Sequence, residues 1–166
     1  MAVVTKTGNA YPVAGALQNV SARVAESEAT VFASFVDMAV GDSIGSLLYF
    51  GRVPSSALIH PASRVYNQAL GAAVTLRLGF YKPNGGVVLS NNALTPTLLD
   101  MNTADLSGLG KPLNGLTVLL MHMPAWQLAN LSADPGGLLD IVGEIQGAAV
   151  GTAGRILMSC MFGDHS

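Results

Sequence analysis

The clearest pattern along the chain is an alternation between residues 74 and 80. Every second residue is large and apolar, and the residues between them are polar, charged or small. Because successive side chains of a strand point to opposite faces, this pattern predicts a strand with one face in a core and the other outward. The inward residues are Val74, Leu76, Leu78 and Phe80, and the outward ones are Thr75, Arg77 and Gly79.

Other runs rich in β-branched, aromatic or alternating residues predict further strands. They span residues 30–38, 44–50, 57–66, 72–80, 97–102, 116–123, 138–146 and 155–162, with a short return strand at 86–89. The continuous apolar run at 116–123 predicts a strand buried on both faces. Pro61 restricts the strand over 57–66 to an edge or a bulge. One or two helical turns are predicted over 124–131, because proline is tolerated where a helix begins.

Turn-forming residues separate these runs. Asn84-Gly85 supplies the positive φ angles of a tight hairpin, and Asp134 to Gly137 predicts another turn. No alternation of strands with helices is present, so the predicted fold is all-β: a jelly-roll-like antiparallel β-sandwich with an extended N-terminal arm. The arm is residues 1–29, where 17–28 fits a helix or a strand equally well, and the jelly-roll β-sandwich domain is residues 30–166.

The composition indicates whether the outward faces of the strands contact water or other molecules. Charged residues make up 11% of the chain, against about 25% in an ordinary soluble domain. A surface this poor in charge favours contact with other copies of the chain or with a larger body. The arginines are scattered singly and the net charge is -2, which is atypical of a nucleic-acid-binding surface. Polar residues interrupt the apolar region 112–133, so no membrane-spanning segment is predicted, and no signal peptide is expected.

Candidate acids, bases and metal ligands do not form a recognisable set. His60 and His122 lack the spacing of metal ligands, and His165 lies near the end of the sequence. Asp140 and Glu144 share an outer strand face about 13 Å apart, too far for a glycosidase pair, so a solvated face is predicted. Asp37 or Asp100 could approach them, but no pattern indicates it.

Candidate nucleophiles and loops have simpler interpretations. Gly41 to Gly45 matches G-x-S-x-G around Ser43, with Ser46 close by, but it precedes a strand and is interpreted as a turn. Residues 147–154 lack the Gly-Lys-Ser/Thr ending of a P-loop. Cys160, the only cysteine, alternates with apolar residues, so it is predicted to be a buried small hydrophobe. The sequence therefore predicts no catalytic, cofactor-binding or metal-binding residue, no cofactor and no enzyme activity.

The single tryptophan and the methionines leave two interpretations each. Trp126 is predicted to cover the core, and a sugar-binding platform around Trp126 or Tyr81 is the alternative. The late methionines fill the core or form an adaptable subunit interface. They are Met121, Met123, Met158 and Met161.

One ordered series of segments covers residues 30–162: Gly41-Asp42, Phe50 to Pro54, Leu58 to Val65, Ala69 to Ala72, Val74 to Phe80, Trp126 to Leu128, Ser132 to Gly137, an alternating strand, Ala148-Ala149, Gly151 to Gly154 and a final strand. This order resembles that of small structural proteins of tailed bacteriophages.

The resemblance implies a virion component of the head decoration or cement kind. Such a protein sits on the exterior of the capsid, associates with itself as a homotrimer and bridges subunits of the phage major capsid protein. A head-fibre or tail subunit, and a carbohydrate-binding β-sandwich module, are the alternatives. The resemblance supplies no catalytic residues, and the arm is expected to reach the capsid.

Overall fold

The structure is a computed structural model, and it describes residues 2–9, 22–23, 29–106, 109–117, 120 and 122–163. In these residues twelve strands and one short helix are present. The strands are β1 (Thr5–Thr7), β2 (Ala22–Arg23), β3 (Ala29–Met38), β4 (Leu47–Pro54), β5 (Leu58–Ile59), β6 (Arg64–Asn67), β7 (Thr75–Tyr81), β8 (Val88–Ser90), β9 (Leu99–Asp100), β10 (Lys111–Pro112), β11 (Leu138–Gln146) and β12 (Gly154–Gly163), and the helix is α1 (Ala125–Leu128). The all-β class is confirmed.

Two sheets of six strands form the sandwich. In the first sheet the order is β1-β4-β11-β7-β8, with β9 also paired to β7. In the second sheet the order is β10-β6-β12-β3-β2, with β5 also paired to β12. All pairings between the named strands are antiparallel except that of β1 with β4, which is parallel. The chain therefore crosses between sheets repeatedly, and the two late strands β11 and β12 occupy the middle of the two sheets.

The inner faces of both sheets share one hydrophobic core. The alternation predicted for β7 and β11 is confirmed, since Val74, Leu76, Leu78 and Phe80 are all 0% exposed and Leu139, Ile141 and Ile145 belong to the same core. The largest fully buried side chains are Phe50, Phe80, Leu48, Ile59, Leu70, Leu76, Leu78, Leu94, Met101, Leu139, Ile141 and Ile145. Burial of this apolar area is the main source of stability.

The strand β4 starts and ends later than the strand predicted at 44–50, and it contains a bulge. Ile141 pairs with Gly51 and Val142 pairs with Tyr49, so Phe50 is an extra residue in β4. Gly51 continues the strand instead of ending it. A Cβ at this position would lie 2.8 Å from the ring of Phe32 in the opposite sheet, so only glycine allows the two sheets to approach so closely here.

Two other predicted strands differ in the structure. The segment 57–66 is divided into β5 and β6, with a turn at Pro61 between them. The buried strand predicted at 116–123 is wrong for the residues that the structure describes, because backbone bonds from Leu120 to Thr117 and from Met123 to Leu120 form successive turns. The side chains of an apolar run can be buried whether the run forms a strand or a series of turns. Leu116 belongs to the core although it lies outside any strand.

The predicted turns are confirmed by their backbone angles. Asn84 and Gly85 have φ values of 63° and 70° and connect β7 to β8. At the second turn the backbone N–H of Gly136 donates to Asp134 Oδ1 at 2.9 Å. The predicted helical turn is α1, which follows Pro124 and covers one end of the sandwich through Ala125 and Ala129.

The start of the chain closes one side of the sandwich. After β1, the Gly8 N–H donates to the Tyr49 carbonyl in the first sheet, and the Asn9 N–H donates to the Phe35 carbonyl in the second at 3.2 Å. Asn9 Oδ1 also accepts from the Phe35 N–H at 2.8 Å. Much of the predicted arm lies outside the described residues, and the division of the chain at residue 29 stays a prediction.

Candidate interaction surfaces

The outer face of the first sheet is polar, and its charges are paired across strands. Asp140 stands opposite Arg52 in the register of β11 and β4, and Arg52 Nε lies 2.6 Å from Asp140 Oδ1. Glu144 stands opposite Arg77 in β7, with its Oε2 2.9 Å from Arg77 Nη2. Cross-strand pairs of opposite charge stabilise a sheet.

The carboxylates on this face are less solvated than the alternation predicts. Asp140 is 0% exposed, so the predicted solvated face is wrong for it. Arg52 also donates to Asn84 Oδ1 at 2.5 Å, which ties the hairpin turn to the ion pair. Glu144 is half-buried and also accepts from Gln146 Nε2 at 2.9 Å. The charged groups of this face are therefore paired with one another within the protein.

Two tyrosines fill the space beside these ion pairs. The rings of Tyr49 and Tyr81 meet edge to face, 6.4 Å apart, and form a small second cluster with Val142. Burial, followed by the negative charge of Glu144, raises the pKa of Tyr81 to about 12. Tyr81 is 5% exposed, so it is not part of an exposed aromatic platform.

The outer face of the second sheet carries a group of apolar side chains among polar ones. In its register Leu157 of β12 lies between Phe35 of β3 and Tyr66 of β6, and these three half-buried side chains form a row across the sheet. Met161 and Val31 are paired further along the same face. We call the residues Phe35, Tyr66, Leu157, Met161 and Val31 the apolar row.

One exposed ion pair and one hollow border the apolar row. Arg155 Nε lies 2.6 Å from Asp37 Oδ1, and the guanidinium carbon lies 3.8 Å from the centre of the Phe35 ring. Hydrogen bonding to Arg155 lowers the pKa of Asp37. A hollow of about 330 Å³ is lined by Tyr66, Leu157 and Arg155, with Gln68 and Leu106. Leu106, at the edge of this hollow, is 63% exposed.

A second apolar groove lies at one end of the first sheet. It has a volume of about 580 Å³ between the β7–β8 turn and the segment 131–139. Leu138 is 46% exposed at its rim, and Lys82 contributes a charge. Val87 and Val88 in the adjoining hairpin are 68% and 45% exposed.

The structure does not bring the sequence-predicted histidines into a shared site. His60 is exposed, and its Nδ1 accepts from the Ala62 N–H at 3.0 Å, whereas His122 is exposed on a turn. His165 lies outside the described residues. Within the described ranges, no three side chains of His, Cys, Asp or Glu are grouped closely enough to hold a metal ion.

The predicted nucleophiles and additional carboxylates have structural roles. Ser46 is 0% exposed, and its hydroxyl donates to the Ser43 carbonyl at 2.7 Å and accepts from the Val4 N–H at 3.1 Å. The G-x-S-x-G segment is therefore a turn, as predicted. Asp37 pairs with Arg155, and Asp100 accepts from the Asn102 N–H at 2.8 Å.

Cys160 is buried as predicted. It is 0% exposed, and burial raises the pKa of its thiol to about 12. Met158 fills the core, whereas Met123 and Met161 are half-buried and Met121 lies outside the described residues. Trp126 is half-buried, and α1 reaches the core through Ala125, Leu128 and Ala129 instead.

Sequence reasoning did not identify the apolar row or the two hollows. The outward residues of β12 include Leu157 and Met161 at every second position, and this signal was present in the sequence. The partners of Leu157 on β3 and β6 depend on pairing between distant segments, which a single sequence does not reveal. In the part of the chain that the structure describes, no helix is long and apolar enough to cross a membrane.

Comparison with known proteins identifies a shared fold. No protein-family model and no curated protein matches the sequence. Among solved structures, a chain of the capsid of Ralstonia phage GP4 matches with a TM-score of 0.50 and 13% sequence identity, covering 99% of each chain. The fold is therefore common to nearly the whole of both chains, and the two have nearly the same length.

Proposed function

We propose that the protein is a structural component of a tailed-phage virion, and that it is a decoration or cement protein. In this role it binds the outside of the head and bridges subunits of the major capsid protein. The observation that carries the proposal is the fold shared over 99% of both chains with a protein of the Ralstonia phage GP4 capsid.

Strand order supports a jelly-roll arrangement within this role. The main strands follow the orders β4-β11-β7-β8 and β3-β12-β6-β10, and the strands β11 and β12 insert into the centres of opposite sheets. Two interlocked Greek keys give such an order. A clamp on a shell requires a large contact area and no catalytic group.

The apolar row supports self-association, which we propose takes the form of a homotrimer. Obligate subunit interfaces are more apolar than ordinary protein surface and lose charged residues from their centre. The outer face of the first sheet pairs its charges internally, whereas the second presents Phe35, Tyr66 and Leu157. We assign the outer face of the second sheet to contacts between copies. We assign the groove between the β7–β8 turn and the segment 131–139 to contact with the capsid.

The proposal is tested with heads from which the protein has been removed. Purified full-length protein is added, and bound protein is measured after sedimentation of the heads. We expect saturable rebinding to expanded heads and, by light scattering, a trimer in solution. Labelled antibodies on intact virions report the location. Label on a fibre or tail identifies that alternative, and a monomer that does not rebind to heads overturns the proposal.

A further inference from the structure

Asn67, at the end of β6, has an unusual set of hydrogen-bond partners. It is 0% exposed. Its Nδ2 lies 2.8 Å from the Gln68 carbonyl oxygen, 3.1 Å from that of Thr103 and 3.3 Å from that of Met101. An amide nitrogen carries only two hydrogens, so three carbonyl acceptors exceed what the side chain can satisfy. The site has one more acceptor than an asparagine needs.

Strand register brings a lysine to the other side of the same amide. Lys111 of β10 stands opposite Val65, and Asn67 lies two residues further along β6, so the two side chains share one face as a diagonal pair. Lys111 Nζ donates to Asn67 Oδ1. The carbonyl carbon Cγ of Asn67 lies one bond beyond that oxygen. Burial lowers the pKa of Lys111, which favours the neutral, nucleophilic amine.

An acidic residue stands opposite Asn67 in the same register. Asp105 forms an antiparallel bridge with Asn67, and the backbone N–H of Asp105 donates to the backbone carbonyl of Asn67 at 2.8 Å. Bridged residues project their side chains to the same face, and the Asp105 carboxylate is close enough to raise the pKa of Lys111 against the larger, lowering effect of burial. A carboxyl group in this place can move a proton between two nitrogens.

We propose that Lys111 and Asn67 form an intramolecular isopeptide bond. Neutral Lys111 Nζ attacks Asn67 Cγ, and a new C–N bond forms. The bond from Cγ to Nδ2 breaks, and Asp105 transfers the proton lost by Nζ to Nδ2, which leaves as ammonia. The products are a secondary amide and one NH₃, so no oxidant or other reactant is required.

The three carbonyl groups around Nδ2 fit the leaving group better than the asparagine. Ammonia has three hydrogens, and the oxygens of Gln68, Met101 and Thr103 can accept all of them. Acceptors that bind the departing nitrogen more strongly in the transition state than in the amide accelerate that step. The bond would join β6 to β10 and close a loop between two residues that are 44 apart in sequence. This proposal does not depend on the proposed role in a virion.

The test is the intact mass of the full-length protein. We expect a mass lower than that of the sequence by about 17 Da, the mass of one ammonia. After tryptic digestion, the segment 65–77, which contains Asn67, is expected to remain joined to 78–155, which contains Lys111, because the prolines after Lys82 and Lys111 prevent cleavage there. An unchanged mass after prolonged incubation at alkaline pH overturns the proposal.

Variants separate this bond from other losses of ammonia. Lys111→Arg keeps the positive charge but removes the nucleophile, so this variant is expected to have the full mass of its own sequence. Circular dichroism verifies that the variant is folded. Lys82→Arg, at an exposed lysine, is the matched control and is expected to keep the loss. Asp105→Asn is expected to slow the reaction. If the loss persists in Lys111→Arg, it arises elsewhere, for example from cyclisation at Asn84-Gly85, and the proposal is wrong.

Discussion

Gly51 shows how one missing side-chain carbon determines the distance between the two sheets. The Phe32 ring occupies the space where a Cβ would stand, at 2.8 Å. Both Gly51 and Phe50 face the core because the bulge places an extra residue in β4. The core is packed densely, so the ring has little space into which it can move.

We therefore expect Gly51→Ala to lower the free energy of unfolding by about 1–3 kcal/mol through overpacking. Chemical denaturation followed by tryptophan fluorescence measures it. Gly151→Ala is the control, because a Cβ there would meet nothing closer than 3.9 Å. Equal stabilities of the two variants would contradict the account of Gly51.

The thiol of Cys160 provides a chemical reporter of the same core. It is fully buried and its pKa is raised to about 12, so both access and thiolate formation are suppressed in the folded protein. We expect a thiol reagent at neutral pH to label Cys160 only after denaturant is added. Rapid labelling of the native protein would show that the C-terminal half of β12 opens readily.

Tyr81 gives the fold a dependence on alkaline pH. Its pKa is raised from 10.0 to about 12, chiefly by burial. Its contribution to stability is therefore fully present below about pH 10 and is lost as the pH rises towards about 12, because the unfolded chain loses the proton first. We expect the free energy of unfolding of the native protein to fall more steeply over this interval than that of Tyr81→Phe. Parallel slopes would exclude Tyr81 as the cause.

At the scale of elements, paired charges connect the three central strands of the first sheet. Asp140 on β11 faces Arg52 on β4, and Glu144 on β11 faces Arg77 on β7. The β11 strand therefore pairs with each neighbour through hydrogen bonds and through an ion pair. Pairing directly across strands also opposes a slip in register, since any slip separates the charges.

Removing one member of the buried pair is expected to be costly. Asp140→Ala leaves Arg52, which is mostly buried, without its counter-charge, and we expect a loss of about 2–4 kcal/mol in the free energy of unfolding. Asp37→Ala is the matched control, because the pair of Asp37 and Arg155 is exposed to solvent and is expected to make no measurable difference. Urea denaturation of both variants measures the contrast.

Predictability from sequence differs among the elements for physical reasons. Strict alternation identified the core face of β7, because only that face is apolar, and a looser alternation with Val142 on the outer face identified β11 to its end residues. The run at 116–123 gave no such contrast between faces, and it forms turns in the described residues. Gly51 was interpreted as a strand end because its neighbour Phe32 comes from another sheet, and pairing between sheets leaves no local signal.

At the scale of the whole molecule, the two outer faces differ in what they offer a partner. The first is occupied by its own ion pairs, and the second carries the apolar row. Composition did not predict this difference between the two faces, because it indicated only that part of the surface contacts a partner. The apolar row depends on the pairing of β12 with β3 and β6, which are distant in sequence.

A charge introduced into the apolar row is expected to disrupt assembly. If copies associate through this row as proposed, we expect Leu157→Glu to weaken the association by about tenfold or more and to favour the monomer, since a carboxylate loses water in the interface. Light scattering over a concentration series measures it. Leu138→Glu is the control at an exposed leucine on the first sheet, and it is expected to leave the oligomer intact. If Leu157→Glu remains oligomeric, copies meet through another face.

The central position of β11 and β12 has a consequence for synthesis on the ribosome. Until residues 138–163 emerge, β4 and β7 lack the strand that joins them, and so do β3 and β6. The earlier strands therefore lack their central partners until the end of synthesis, and one late pair of strands completes both sheets. We expect a chain that stops short of these two strands to remain unfolded and sensitive to proteases.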